Sequence, residues 1–356
     1  MRIAVIGHFD NTDEGTRIVA KTIAQKLEER GLRVKKINIS SISTFLEIRR
    51  FKPDVIHFVI GPTTLGFIST KLLSFSWLRA VTVLSVVHSS IPKKKILSLF
   101  RHDIALVQSK DSERVYEELG FNTRFLPNGV DIDKFKPVPI EQKIKLREKY
   151  GLPTEKFIIL HMASMKRKRN LSVFKTLKQQ FSDIEILLIG RENEKNIDWE
   201  LVKELKSAGC RVWLKHFPEI EEIYQLADCY VFPAKNKTAA IETPLSVLEA
   251  MACNIPVITT KFGALPRMFD EGEGLFFVEN EDEIVSIIKT LREKRDIPVN
   301  TRKKVLKYSW DNIINDLIKI YNRMLGEGYE KTDHNSISWS RRFGKKHSIQ
   351  GNSPRT

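Results

Sequence analysis

Short apolar runs bounded by glycine or polar turns alternate along this chain with stretches of helical spacing. RIAVIG at 2–7 reads as a buried strand, 17–30 as a helix closed by Gly31, and 33–39 as the next strand. Further strands are expected at 55–60, 81–87, 104–108 and 125–127. A turn-rich NGVDIDKFKP, a charged helical run at 140–150 and the break Gly151-Leu152-Pro153 follow. A second series then begins, with strands at 157–162, 184–189, 212–214, 229–232 and 256–259. Short strands alternating with helices imply parallel sheets with ligands at the carboxyl ends of the strands. The expectation is two similar α/β halves joined near 151, with a cleft between them. Two amphipathic helices, 284–293 and 310–325, close the pattern. Beyond Gly326 periodicity stops, and 326–356 reads as a disordered basic tail.

The stretch 241–260, IETPLSVLEAMACNIPVITT, carries the densest local grammar. Thr243 suits an N-cap and Pro244 the first helical position. Leu245, Leu248, Met251 and Ala252 recur at helical spacing, Asn254 suits a left-handed exit, and 255–258 reads as a buried strand. A helix start aimed at a cleft is an anion site built from amides, here those of Leu245, Ser246 and Val247. Glu249 sits on the same helix. Nearby in the second half, MKRKRN at 165–170 follows the first strand of its series. It is either a solvated charge run or a phosphate contact, and its place at a strand end favours contact. His88 likewise follows a strand, as an ordinary loop residue or as a ligand.

Composition narrows the class. At 356 residues, 42% hydrophobic and 29% charged, the chain suits a two-domain globular protein. No apolar run reaches membrane-spanning length, and the N-terminus enters a strand without a leader pattern. Cys210, Cys229 and Cys253 lack metal-ligand spacing and imply a reduced, cytoplasmic setting. The net charge of +15 is concentrated in the first 150 residues, which hold 26 basic against 16 acidic side chains. Such a half suits nucleic acid, an anionic membrane or a phosphorylated ligand. No nucleic-acid recognition motif or aromatic-basic interleaving accompanies the charge, so nucleic acid is not expected.

Together, FLPNGVDIDKFKP, ADCYVFPA and TPLSVLEAMACNIPVITT, followed by FGALPRMFDEGEGLFFVENEDEI and YSWDNIINDLIKIY, resemble glycosyltransferase family four, also called group one. The resemblance covers roughly 1–325. It implies a GT-B architecture of two Rossmann-like domains: 1–152 on the acceptor side, 153–305 binding the nucleotide-sugar, and 306–325 crossing back. It implies transfer of a hexose-type sugar with retention, from a nucleoside-diphosphate sugar to a lipid-linked or saccharide hydroxyl, without metal or other cofactor. By the same resemblance Glu249 holds the ribose hydroxyls, Arg169 and Lys166 the diphosphate, His88 lies near the donor sugar and Gly15 approaches the transferred group. Ser164 stands in place of the family's arginine, and Thr243, Leu245, Ser246 and Val247 complete the donor loop. An alternative for Glu249 is a capping box with Ser246.

One position departs from the family. The first glutamate of its pair falls on Ile241 here, and the adjacent Glu242 is the candidate substitute. That departure motivates a second reading, an inactive GT-B protein that binds sugar nucleotide or supports a partner enzyme. For the acceptor, IPKKKILSLFRH and LLSFSWLRA, with Phe75 and Trp77, read either as anchors on the anionic inner face of a membrane or as ordinary amphipathic helices.

Overall fold

The computed structural model describes residues 1–9, 15–39, 44–61, 80–89, 101–191, 197–294 and 297–333. In the first half, β1 (Arg2–Gly7), β2 (Arg33–Asn38), β3 (Val55–Ile60), β4 (Val81–Val86), β5 (Ile104–Val107) and β6 (Thr123–Phe125) form one sheet. Its order is β2-β1-β3-β4-β5-β6, parallel throughout. In the second half, β7 (Phe157–Met162), β8 (Ile184–Gly190), β9 (Arg211–Leu214), β10 (Cys229–Phe232), β11 (Val257–Thr260) and β12 (Leu275–Val278) run β12-β11-β10-β7-β8-β9, again parallel. β1, β3, β4, β8 and β10 are apolar along nearly their whole length because helices or loops cover both faces.

Two strands depart from expectation. β6 ends at Phe125 rather than starting there, since Pro127 has no N–H with which to extend a ladder. β12 was not expected as a strand; it follows a turn in which Gly272 and Gly274 adopt φ of 102° and 88°.

The chain crosses between the domains twice, and the two crossings touch. Val130 N–H donates to Tyr308 C=O at 3.0 Å, and Trp310 N–H donates to Val130 C=O at 3.0 Å. Gly129 fits this junction because a Cβ there would lie 2.8 Å from Trp310 Cα. After the first crossing, helix Ile140–Lys149 docks on the second domain rather than the first. Its Leu146 joins Phe135, Leu152, Tyr224, Phe232 and Met251 in one core cluster. Arg147 pairs with Asp228 at 2.6 Å and donates to Leu226 C=O at 3.0 Å. The junction in packing terms therefore lies near 129–130, ahead of the 152/153 boundary read from the sequence.

After the second crossing, helix Trp310–Asp333 lays Trp310, Ile313, Ile314, Leu317 and Tyr321 against Val19, Ile23 and Leu27 of the first domain. It continues through Gly326 to Asp333, past the end expected at 325. Gly326 and Gly328 each cost a helix only about 1 kcal/mol relative to alanine, too little to stop it. The remainder of the tail, and the segments carrying Phe75, Trp77 and the KKK run, lie outside the described residues.

Candidate functional site

Helix Leu245–Ala252 starts at the cleft with Pro244 as its N-cap, without a side-chain capping bond. Thr243, expected as the cap, serves instead as a joint between domains. Its N–H donates to Gln108 Oε1 at 3.0 Å and its C=O accepts from Asn128 Nδ2 at 3.1 Å. Gln108 Nε2 completes the triangle by donating to Asn128 Oδ1 at 2.9 Å. The Val247 amide is taken up by Pro244 C=O at 3.1 Å, so it is not offered to a ligand. The amides of Leu245 and Ser246, as the first of the helix, have no carbonyl one turn back. They keep the positive end of the helix open.

Around that end stand the polar groups of the second domain. Tyr230, buried on β10, donates its hydroxyl to Ser246 Oγ at 2.7 Å. Arg169 ends the short 3₁₀ turn Arg167–Arg169, after which Asn170 adopts a left-handed φ of 59°. Its charge lies close enough to Tyr230 and to buried His161 to lower the pKa of both, against or beside the larger effects of burial. Lys166 and Ser164 precede it on the loop, joined by a Lys166 N–H to Ser164 C=O bond at 2.9 Å. The MKRKRN run divides by role. Arg167 is exposed and paired with Asp198, Glu200 and Glu204, a solvated face, whereas Lys166 and Arg169 are half-buried.

Glu249 accepts a hydrogen bond from the Tyr224 hydroxyl at 2.5 Å. Its carboxylate does not return to the helix backbone, so the capping box with Ser246 is not formed. Burial pushes the Glu249 carboxyl up to about 7, opposed by the Tyr224 hydrogen bond and the charge of Lys134.

From the first domain, Gly15 opens helix Gly15–Glu29, and the next residue, Thr16, meets His88 with its Oγ1 3.1 Å from Nε2. His88 is thus held at the end of β4, facing the glycine turn. Ile241 reaches across from the second domain into this corner. A Cβ on Gly15 would lie 3.1 Å from Ile241 Cδ1, and Ile241 is buried in the first domain's core cluster.

Glu242 is turned elsewhere. Its Oε2 accepts from Ser109 N–H at 3.0 Å, and its Oε1 accepts from the hydroxyls of Ser109, at 2.9 Å, and Ser112. Its backbone N–H donates to Val87 C=O at 2.9 Å. Burial raises the Glu242 carboxyl while these hydrogen bonds lower it. The structure brings Arg169, Ser246 and Glu249 around one helix end and Gly15 and His88 around the opposing corner. It does not bring Glu242 into either group. Sequence reasoning missed Tyr224, Tyr230, Gln108, Ser109, Ser112 and Asn128. Asn128, inside LPNGVD, and Tyr230, inside ADCYVFPA, carried a signal; the others are partners that tertiary packing selects.

Two parallel α/β domains whose strand ends meet across a cleft, with a terminal helix crossing back, form the GT-B fold. Residues 142–309 match the family described as Glycosyl transferases group 1. Among curated proteins it is similar to the sulfoquinovosyl transferase SQD2 of Arabidopsis thaliana, 26% identical over 74% of this chain and 55% of that one. A D-inositol 3-phosphate glycosyltransferase of Corynebacterium urealyticum is 24% identical over 62% of this chain and 56% of that one. The chain thus spans a little over half the length of these relatives. Among solved structures, sucrose-phosphate synthase from Thermosynechococcus elongatus superposes with a TM-score of 0.75 at 15% identity, covering 92% of this chain and 99% of that one. Anabaena HepE in complex with UDP-glucose gives a TM-score of 0.67 at 16% identity, covering 93% and 100%. These structural likenesses bear on the fold. Among the described residues, no helix is long and apolar enough to cross a membrane.

Proposed function

We propose that the protein transfers a hexose-type sugar, with retention, from a nucleoside-diphosphate sugar to a hydroxyl acceptor. The observation that carries this reading is the convergence of Arg169, the Leu245 and Ser246 amides and Glu249 at one helix end, opposite Gly15 and His88. The diphosphate lies at the helix start, with Arg169 and Lys166 neutralising it in place of a metal ion. Glu249 accepts from the ribose hydroxyls. As the bond from the sugar's anomeric carbon to the phosphate oxygen breaks, its electron pair leaves with the nucleoside diphosphate. The acceptor oxygen bonds the same face of that carbon, and its proton passes to the departing phosphate oxygen. Positive charge fixed where negative charge develops lowers the barrier, each such donor by a factor of about 10²–10³.

UDP-glucose, the ligand of HepE, is the first donor to try. Arg169→Ala and Glu249→Ala are each expected to reduce kcat/KM strongly in a donor-consumption assay. Full activity in both variants overturns the assignment. Ile241 packed on Gly15 favours a second reading, in which sugar nucleotide binds without turnover. Tight nucleotide binding with neither transfer nor donor hydrolysis selects it.

We further propose a cytoplasmic setting, with the basic first half toward an anionic membrane. Exposed Arg33, Lys35 and Lys36 on β2 and Arg49 and Arg50 on helix Thr44–Phe51 support this. Loss of salt-sensitive binding to anionic vesicles removes it.

A further inference from the structure

Between the domains, beside the carboxyl ends of β5, β11 and β12, lies a cavity of about 470 Å³. The first domain contributes Ser89 and Lys110 to its wall; the second contributes Lys235, Lys237, Lys261 and Arg267. Arg169, Ser246 and Glu249 are not part of this wall, so it is distinct from the donor end of the cleft. The volume falls in the range of small-molecule sites.

Pairing the charges around it leaves a surplus. Arg267 is paired with Glu113 at 2.9 Å, Lys237 with Asp111, and Lys261 loosely with Glu279 at 3.7 Å. The remaining carboxylate on the wall, Glu242, is engaged by Ser109 and Ser112. Among the described residues, Lys110 and Lys235 have no ion-pair partner, and they approach the cavity from opposite domains. Lys110 also begins helix Lys110–Glu118, whose positive end adjoins the same space. Ser89 adjoins His88, and its hydroxyl donates to Lys237 C=O at 2.6 Å, tying this wall to the corner where the sugar is placed.

We propose that this cavity seats the phosphate of a phosphorylated acceptor, held between Lys110 and Lys235, while the acceptor's hydroxyl reaches toward His88. The proposal rests on the glycosyltransferase reading and deepens it by naming the acceptor class. Ammonium groups from both domains hold phosphoryl oxygens without demanding one geometry, which suits a substrate whose other end must reach the sugar.

The test titrates the full chain with inorganic phosphate, glycerol 3-phosphate and, separately, UDP, following binding by phosphorus NMR. In the Lys110→Ala/Lys235→Ala double variant, glycerol 3-phosphate binding is expected to weaken by about tenfold or more. UDP binding is expected to stay unchanged. Arg169→Ala should show the reverse, keeping glycerol 3-phosphate and losing UDP. Equal glycerol 3-phosphate affinity in the wild type and the double variant overturns the proposal. So does a site that takes inorganic phosphate but rejects the monoester, which marks an anion site without an acceptor. Absence of binding by UDP, GDP, ADP and CDP alike, alongside intact, lysine-dependent monoester binding, instead removes the glycosyltransferase reading and leaves the cavity as an anion site.

Discussion

At the scale of single residues, Glu249 carries the most testable chemistry. With its carboxyl held near 7, the group changes charge in the neutral range, whereas an ordinary glutamate would be ionised throughout. A carboxylate accepts ribose hydroxyls better than the neutral acid does. Donor KM is therefore expected to fall as pH rises from about 6 to about 8, and to stay flat in Glu249→Gln. Tyr224→Phe removes a hydrogen bond that favours the ionised form and leaves burial in place. The midpoint of the KM profile should then move to higher pH, and a shift to lower pH would contradict the assignment. The stability linkage has a definite sign. Because the folded carboxyl binds its proton more tightly than the unfolded one, its contribution is present below pH 4.5 and is lost as pH rises through about 7. None of this was legible in the sequence, which supplied Glu249 but not Tyr224, twenty-five positions earlier and brought close only by packing.

Between elements, the decisive contacts are those that join the domains. Glu242 fastens the loop before helix Leu245–Ala252 to Ser109, the N-cap of helix Lys110–Glu118. Glu242→Ala removes the acceptor for two hydroxyls and one amide. Each buried donor left unpartnered costs about 1–3 kcal/mol, so a fall in Tm is expected. Glu242→Gln, which keeps one acceptor oxygen, should recover part of it. Donor binding measured with UDP should change little in either variant, because the carboxylate is turned away from Arg169 and Glu249. Gly129 presents a harder constraint. An added methyl meets the Trp310 backbone at 2.8 Å, and backbone cannot rotate aside as a side chain does. Gly129→Ala is expected to separate the two crossings, lowering Tm by an amount typical of overpacking, about 1–3 kcal/mol. Wild-type stability in that variant would show that the junction is slack. The sequence marked Gly129 through its motif, but the partner 181 positions along the chain could not be read from it.

For the whole molecule, the returning helix fastens the end of the second domain onto the first domain's core. Tyr321 on that helix is hydrogen-bonded to His57 Nδ1 at 2.6 Å, while Ser85 meets Nε2 at 2.7 Å. Burial depresses His57 to about 3, and His161, in the other domain, to about 3 as well. Both histidines are neutral in the folded protein. Their contribution to stability is complete above the unfolded value near 6.5 and declines as pH falls toward 3, because the unfolded chain gains protons the folded chain refuses. Thermal melts are expected to show Tm decreasing from pH 7 to pH 5. Replacing both histidines by glutamine should flatten that slope even if it lowers Tm overall, and an unchanged slope would assign the acid sensitivity to other groups.

The sequence by itself determined the two α/β halves, most strand positions, and the helix that opens at the cleft. These follow from local periodicity, glycine turns and short apolar runs, which the backbone reads within a few residues. It also carried the likeness to the group 1 glycosyl transferases, through motifs whose spacing is local. Tertiary structure alone decided that helix Ile140–Lys149 belongs with the second domain. A charged helix packs by a few apolar positions whose partners lie far along the chain. Tertiary structure likewise decided the fate of Ile241 and Glu242. Neighbours in sequence, they point to different partners in the first domain, one into an apolar core and the other onto a helix cap. Side-chain direction at a domain junction is set by what the opposing domain presents, and no local pattern encodes that.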